Sequence, residues 1–459
     1  MTATSDRRTV LDGCTVVTMD ADRTEHRVGH VVLDGSRIAA VGEGPAPADD
    51  TAYVVDARGC VATPGLVNTH HHLYQWVTRG LAVDDTLFEW LTTLYPVWGE
   101  IDEKVVHASA TAGLGWLART GCTTTMDHHY VFPQAGGDLL AAEIDAASQV
   151  GLRFLPTRGS MDLGRKDGGL PPDHVVEDID TILAASADAV DRWHDPSPDS
   201  MLRIALAPCS PFSVTDDLLR TSAELARDKG VRLHTHLAET LDEEDFCREH
   251  FGCTPVDYME SLGWLGDDVW FGHGIHLDDD AVRKVGASRT GVAHCPSSNG
   301  RLGSGICRTR DLRDAGAPVG LGVDGSASNE ASDLLSEARM ALLFARAKGG
   351  PKALSVRDTL EMATIGGARA LGWDRDIGSL EVGKQADVAL WRVDTLPHVD
   401  IVDPVAGVVL GSNPPLERLL VAGRTVVERD RLVTVDEETV AAQSAAASRT
   451  LLSRAGIST

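Results

Sequence analysis

Between residues 64 and 370, short apolar runs alternate with longer stretches in which apolar positions recur at helical spacing, as at 105–119, 218–229 and 331–348. Alternation of this kind predicts parallel strands joined by helices. Eight strand candidates end near His70, Asp127, Arg158, Cys209, His236, His273, His294 and Asp324. Eight β/α units over roughly 300 residues predict an α/β fold of the (β/α)8, TIM-barrel type. Almost every run stays apolar until its last one or two positions and then delivers a histidine, aspartate, arginine or cysteine. The C-terminal strand ends of such a barrel share one face, so these polar residues are expected to converge.

The two ends of the chain follow a different pattern. Residues 9–60 carry short β-type runs, and Asp34-Gly35 between the runs at 31–33 and 37–41 is a hairpin signal. Runs at 386–391, 408–410 and 419–427 have the same character, with Ala422-Gly423-Arg424 echoing Asp34-Gly35-Ser36. Two β-rich ends around a different middle predict that the termini pair with each other in a small β domain. The expected division is 1–62, then a barrel over 63–373, then 374–459, which closes with an Ala-rich helix at 437–454.

The strand ends also carry the candidate chemistry. At the first, Asn68-Thr69-His70-His71-His72 places His70 and His72 on one face, because strand side chains repeat every two residues. Neutral imidazole is the commonest protein ligand for zinc and similar metals, so His-x-His reads as half of a metal site. The run at 231–240 supplies a third imidazole, His236, with His234 as the alternative, and Asp324 offers a fourth ligand. Three imidazoles and one carboxylate leave a position for water, whose pKa a bound metal lowers toward neutrality. Glu239, three residues after His236, is the candidate proton carrier. His273, at the end of the sixth run, can hydrogen-bond the nucleophile or a developing oxyanion. His294 either lines the pocket or holds the turn that follows it.

Composition narrows the partners. Lysine and arginine total 42 against 68 aspartate and glutamate, a net charge of −26, and such a field repels nucleic acid and anionic lipid. No apolar run approaches about 20 residues, and the stretch 1–8 is polar with no apolar core behind it, so a cytoplasmic protein is expected. The eight cysteines contain no Cys-x-x-Cys pair, which argues against a thiolate zinc knuckle, a disulfide framework and the nucleic-acid-base deaminase signature.

Pro-Gly-Leu-Val-Asn-Thr-His-His-His at 64–72, His-Thr-His-Leu-Ala-Glu-Thr at 234–240, Gly-His-Gly-Ile-His at 272–276, His-Cys-Pro-Ser-Ser-Asn at 294–299 and Gly-Val-Asp-Gly-Ser at 322–326 resemble the amidohydrolase superfamily. More narrowly they are similar to its aromatic deaminase and triazine hydrolase branch, in order and over nearly the whole chain. The resemblance implies metal ligands His70, His72, His236 and Asp324, a proton shuttle at Glu239 and an orienting His273. It also implies a β-sandwich made by both termini, with 378–387 as the return to it. The stretches 72–75, 87–91, 127–130 and 166–173 further resemble the 8-oxoguanine deaminases of that branch. There Gln75 is expected to hold an amide edge of a purine and Trp90 to wall a flat ring, while His128 and His129 are read as pocket or supporting residues.

These readings lead to one divalent metal per chain, zinc first with iron as the alternative. The expected reaction is hydrolytic deamination of an aminoheterocycle, 8-oxoguanine to urate and ammonia. Isocytosine, guanine, a pterin or an aminotriazine are the alternative substrates. The expected partners are that small molecule and further copies of the chain, a homo-oligomer. A two-metal cyclic-amide hydrolase would need a lysine near the end of the fourth strand, and 202–212 contains none. A non-catalytic metal-binding scaffold is the remaining alternative.

Overall fold

The computed structural model describes residues 8–457, so the polar stretch 1–7 lies outside the described residues. Its centre is a closed barrel of parallel strands: β1 (Leu66–Asn68), β2 (Cys122–His129), β3 (Arg153–Ser160), β4 (Ala205–Pro208), β5 (Arg232–Leu237), β6 (Val269–His273), β7 (Gly291–His294) and β8 (Val319–Leu321). Neighbours in space are neighbours in sequence, and β8 closes on β1 through Leu321 opposite Asn68. The short β1 is tied on both sides by a buried amide. Asn68 Nδ2 donates to Thr125 Oγ1 of β2 at 2.9 Å, and its Oδ1 accepts the Val323 N–H beyond β8 at 2.9 Å.

β2 and β3 are buried at every position, polar residues such as Thr124, Asp127, Arg153 and Thr157 included. The core continues outward into the helices through large side chains such as Trp264 and Trp270, both fully buried. Each such ring contributes on the order of 3 kcal/mol at about 25 cal/mol per Å² of apolar surface. Helix starts follow the capping residues. Thr215 caps Asp216–Lys229, Thr240 caps Leu241–Phe251, and Asp333 caps Leu334–Gly349.

Strands from both termini share one nine-stranded sheet. Its centre is the antiparallel pair Cys60–Pro64 and Val388–Arg392, so the last strand before the barrel lies against the first strand after it. A buried ion pair fastens this sheet to the barrel: Arg153 of β3 pairs with Asp387, the residue before Val388–Arg392, at 3.2 Å. Within the sheet, Trp391 Nε1 donates to Thr63 Oγ1 at 2.9 Å. One run differs from its expected state: 408–410 belongs to a helix, Pro404–Leu410. Asp403 accepts from the Val405 and Ala406 amides and Pro404 occupies the first turn, so local capping overrides the β-branched character of the run. Among the described residues no helix is long and apolar enough to cross a membrane.

Candidate active site

The first histidine motif departs from a plain strand end. β1 stops at Asn68, and His71–His72 form a separate two-residue strand paired with Asp324–Gly325. That pairing brings the first and eighth strand ends together. His70 Nε2 and His72 Nε2 both lie 3.3 Å from Asp324 Oδ1, and His72 Nε2 lies 3.1 Å from His236 Nε2. His70, His72, His128 and His236 form one buried cluster, and His70, His273 and Asp324 an overlapping one.

The opposite ring nitrogens decide which way the lone pairs face. His72 Nδ1 meets the His128 carbonyl at 2.7 Å and His236 Nδ1 the Cys209 carbonyl at 2.7 Å. A carbonyl only accepts, so both Nδ1 atoms carry the proton and both Nε2 atoms are bare. His70 follows through a relay. His234 Nδ1 donates to the Trp270 carbonyl at 2.9 Å, which leaves His234 Nε2 to accept from His70 Nδ1 at 2.8 Å. His70 Nε2 is therefore bare too, and it is buried without a hydrogen-bond partner among the described residues. With both nitrogens used, His234 supports His70, and His236 is the imidazole of β5 that faces the cluster. Three inward lone pairs beside a carboxylate are the donor set that a divalent cation requires, so the residues fit a metal.

Burial sets the charges. It pushes the His70 and His236 rings well below the usual imidazole range and so keeps them neutral. Burial opposes ionisation of Asp324 as well, yet its contacts with His70 and His72 outweigh this and hold its carboxyl well below the usual carboxylate range. Asp324 Oδ2 also accepts from Ser298 Oγ at 2.5 Å and Ser328 Oγ at 3.3 Å. Glu239 goes the opposite way: burial, and then the Asp324 charge, raise it well above the usual range. The two carboxyls in one site are thus pushed apart, Asp324 toward the ionised form and Glu239 toward the protonated one. His273 Nδ1 donates to Asn299 Oδ1 at 3.0 Å and turns Nε2 toward Glu239 Oε2 at 3.4 Å.

A narrow cleft opens over these groups. His72, His236, Glu239, His273 and Asp324 all reach it, as do Gln75 and Trp90. Trp90, Tyr95, Tyr130 and Phe212 supply aromatic walls. Trp90 is fixed by its Nε1–H, which donates to the Ala327 carbonyl at 3.2 Å. Gln75 is fully buried, and neither polar atom of its amide has a partner among the described residues. His294 is not brought to the cleft. Its ring is buried, its Nδ1 has no hydrogen-bond partner among the described residues, and its carbonyl accepts the Gly322 amide at 2.9 Å. The 166–173 segment is likewise outside the lining and closes on itself, with the Lys166 amide donating to Asp173 Oδ1 at 3.1 Å. His128 supports the site through its carbonyl and a ring stacked on His236, and His129 turns away to Glu143. Sequence reasoning missed Tyr95, Ser298, Asn299 and Ser328, and it placed Cys209 at its strand end without the carbonyl contact to His236. Of these, Ser298 and Asn299 stand inside the 294–299 motif, whose spacing was the available signal.

The amidohydrolase family profile matches residues 61–426, most of the chain. The chain belongs to the amidohydrolase family. Among curated relatives of this amidohydrolase, 8-oxoguanine deaminase of Pseudomonas aeruginosa is 46% identical over 92% of the chain and 95% of the relative. Isoxanthopterin deaminase from an unknown prokaryotic organism is 38% identical over 91% of each. Among solved structures, atrazine chlorohydrolase of Arthrobacter aurescens TC1 complexed with zinc superposes with a TM-score of 0.91 at 34% identity, covering 96% of this chain and 100% of that one. The chain is thus a metal-dependent hydrolase of C–N bonds other than peptide bonds, of the deaminase type.

Proposed function

We propose that this amidohydrolase deaminates 8-oxoguanine to urate and ammonia. In this reading one zinc ion per chain is held by His70, His72, His236 and Asp324 inside the 63–373 barrel, and supplies a water acidified toward neutrality. The chain's own residues do the rest. Gln75 offers a carbonyl and an amide N–H to the lactam edge of a planar base, and the aromatic walls pack against its faces. Glu239, which burial and the Asp324 charge push toward the protonated form, donates a proton to the ring nitrogen next to the amino-bearing carbon. Asp324, held ionised, receives the proton that the nucleophile gives up and passes it to the amino group. That group leaves as ammonia when the C–N bond breaks, while the last proton of the added oxygen returns to Glu239. His273, with its proton on Nδ1 held by Asn299, turns a bare Nε2 to the site and orients the nucleophile by accepting its hydrogen bond.

The observation that carries the substrate assignment is the buried, unpartnered amide of Gln75 in an aromatic cleft over the metal-ligand cluster. A buried polar group left unpaired is costly, and a ligand that pairs it gains that difference. The P. aeruginosa relative, named for 8-oxoguanine, supports the same choice. The test is ammonia release from 8-oxoguanine, guanine, isocytosine, a pterin and an aminotriazine, alongside elemental analysis of the protein. The highest kcat/KM is expected on 8-oxoguanine, with one zinc per chain. If isocytosine or an aminotriazine is favoured by about tenfold or more, the substrate assignment falls while the deaminase chemistry stands.

A further inference from the structure

Three glutamates in the helices around the barrel are almost completely buried: Glu143, Glu243 and Glu337. Glu337 is the one that spans two loops. It sits in the first turn of Leu334–Gly349, the helix after β8, and points back beneath the site. Its Oε2 accepts the Ser297 amide at 2.9 Å. The short helix Pro296–Arg301, in which Ser297 is the second residue, is preceded by Cys295, which makes no side-chain cap, so Glu337 provides the missing acceptor from another helix. The two residues that follow touch the site directly, Ser298 on Asp324 Oδ2 and Asn299 on His273 Nδ1.

The other carboxylate oxygen holds the second loop. Glu337 Oε1 accepts from Asn329 Nδ2 at 2.9 Å, and the same amide donates to the Val323 carbonyl at 2.8 Å, one residue before Asp324. Ser328, next to Asn329, is the second hydroxyl on Asp324 Oδ2. One carboxylate thus fixes both loops that orient Asp324 and His273, without reaching the cleft itself.

We infer that Glu337 is a positioning residue for Asp324 and His273, setting the orientation of the metal-facing carboxylate and of the imidazole through Ser298, Asn299 and Ser328. The inference rests on the reading of Asp324 as a metal ligand. Partners that orient metal ligands typically change metal affinity or activity by ~10–100-fold when removed.

The test compares the wild type with Glu337→Gln, Glu337→Ala and, as a packing control on the same helix, Leu342→Ala, whose side chain is fully buried in the core. Each protein is purified with zinc for kinetics and with cobalt(II) for its visible absorption spectrum, and thermal unfolding is recorded for all. Glu337→Gln keeps the shape but turns an amide N–H toward one of the two donors. It is expected to lose kcat by ~10–100-fold with little change in KM, and to alter the cobalt spectrum. Glu337→Ala is expected to lose more. Leu342→Ala is expected to unfold at lower temperature with kcat and cobalt spectrum unchanged. If Glu337→Gln keeps the wild-type kcat and cobalt spectrum, or differs only in unfolding temperature as the control does, the inference is overturned. Should Glu337→Ala fail to fold, Glu337→Gln decides. Should the wild type turn over none of the heterocycles, the substrate proposal fails and the cobalt spectra alone decide the role of Glu337.

Discussion

At the level of single residues, Glu239 and Gln75 divide the work that the buried cleft can do. Burial and the Asp324 charge push Glu239 toward the protonated form, so its value to the proposed reaction is the proton and not the charge. Glu239→Gln preserves shape and removes the proton. The variant is expected to bind metal normally, by elemental analysis, and to lose kcat by ~10²–10⁴-fold; near-wild-type turnover would assign the shuttle to another group. Gln75→Leu should leave the metal in place and reduce kcat/KM on 8-oxoguanine far more than on a substrate lacking a lactam edge, since sites built around a hydrogen bond discriminate by as much as ~10⁴–10⁵. An equal loss on both substrates would mean that Gln75 only fills space. The inward histidines were legible because strand-end spacing fixes where a side chain points. Their orienting partners were not, because His128 and Cys209 act through main-chain carbonyls and His234 through its ring, contacts that only the closed barrel creates.

At the level of elements, the chemistry sits where strands stop being regular. Ala238 after β5, His273 at the end of β6 and Asp324 after β8 all adopt left-handed backbone, with φ of 53°, 71° and 63°. Each costs roughly 1 kcal/mol or more for a residue with a side chain, and the surroundings hold it there. At β5 the holder is Glu243, whose two oxygens accept the Ala238 and Glu239 amides at 2.8 and 3.0 Å. The sequence showed the strands and their order, yet not these turns, since nothing in Ala238 or Asp324 as residue types demands positive φ. It also misassigned 408–410, where a three-residue apolar run has no period and the deciding signal was Asp403-Pro404 before it. The packing of β8 against β1 gives a prediction at this scale. A Cβ at Gly322 would lie 2.6 Å from His70 Cβ and 2.9 Å from Cys295 Sγ, closer than such atoms approach, so the strands must separate. Gly322→Ala is expected to lose metal and activity together and to destabilise the fold by about 1–3 kcal/mol, read by elemental analysis and thermal unfolding. Full metal content in that variant would show that the strands yield without moving His70.

For the whole molecule, the relevant quantity is the number of protons the folded state keeps compared with the unfolded chain. Glu143 and His129 form a buried pair, Nδ1 to Oε1 at 2.7 Å, while His129 Nε2 meets the Val131 carbonyl at 2.9 Å. Nε2 therefore carries the ring proton, and Nδ1 accepts from a protonated Glu143. Burial accordingly raises Glu143 from 4.5 to about 8 and lowers His129 from 6.5 to about 4. Between about pH 4.5 and 6.5 the unfolded chain holds one proton on the histidine and the folded pair holds one on the glutamate, so the pair adds no slope. Between about 6.5 and 8 the unfolded histidine is neutral while folded Glu143 still holds its proton. Stability from this pair is therefore present below about pH 6.5 and lost as pH rises toward 8, by about 1.4 kcal/mol per pH unit or roughly 2 kcal/mol across the window. Glu143→Gln donates to the same ring nitrogen through an amide that does not titrate. Urea unfolding of chelator-treated protein from pH 6.5 to 8 should give a slope of stability against pH that is shallower in Glu143→Gln than in the wild type by up to one proton. Equal slopes in the two proteins would mean that the folded pair holds no proton in this window, with Glu143 ionised beside a neutral His129, and the assignment of the shared proton would fall.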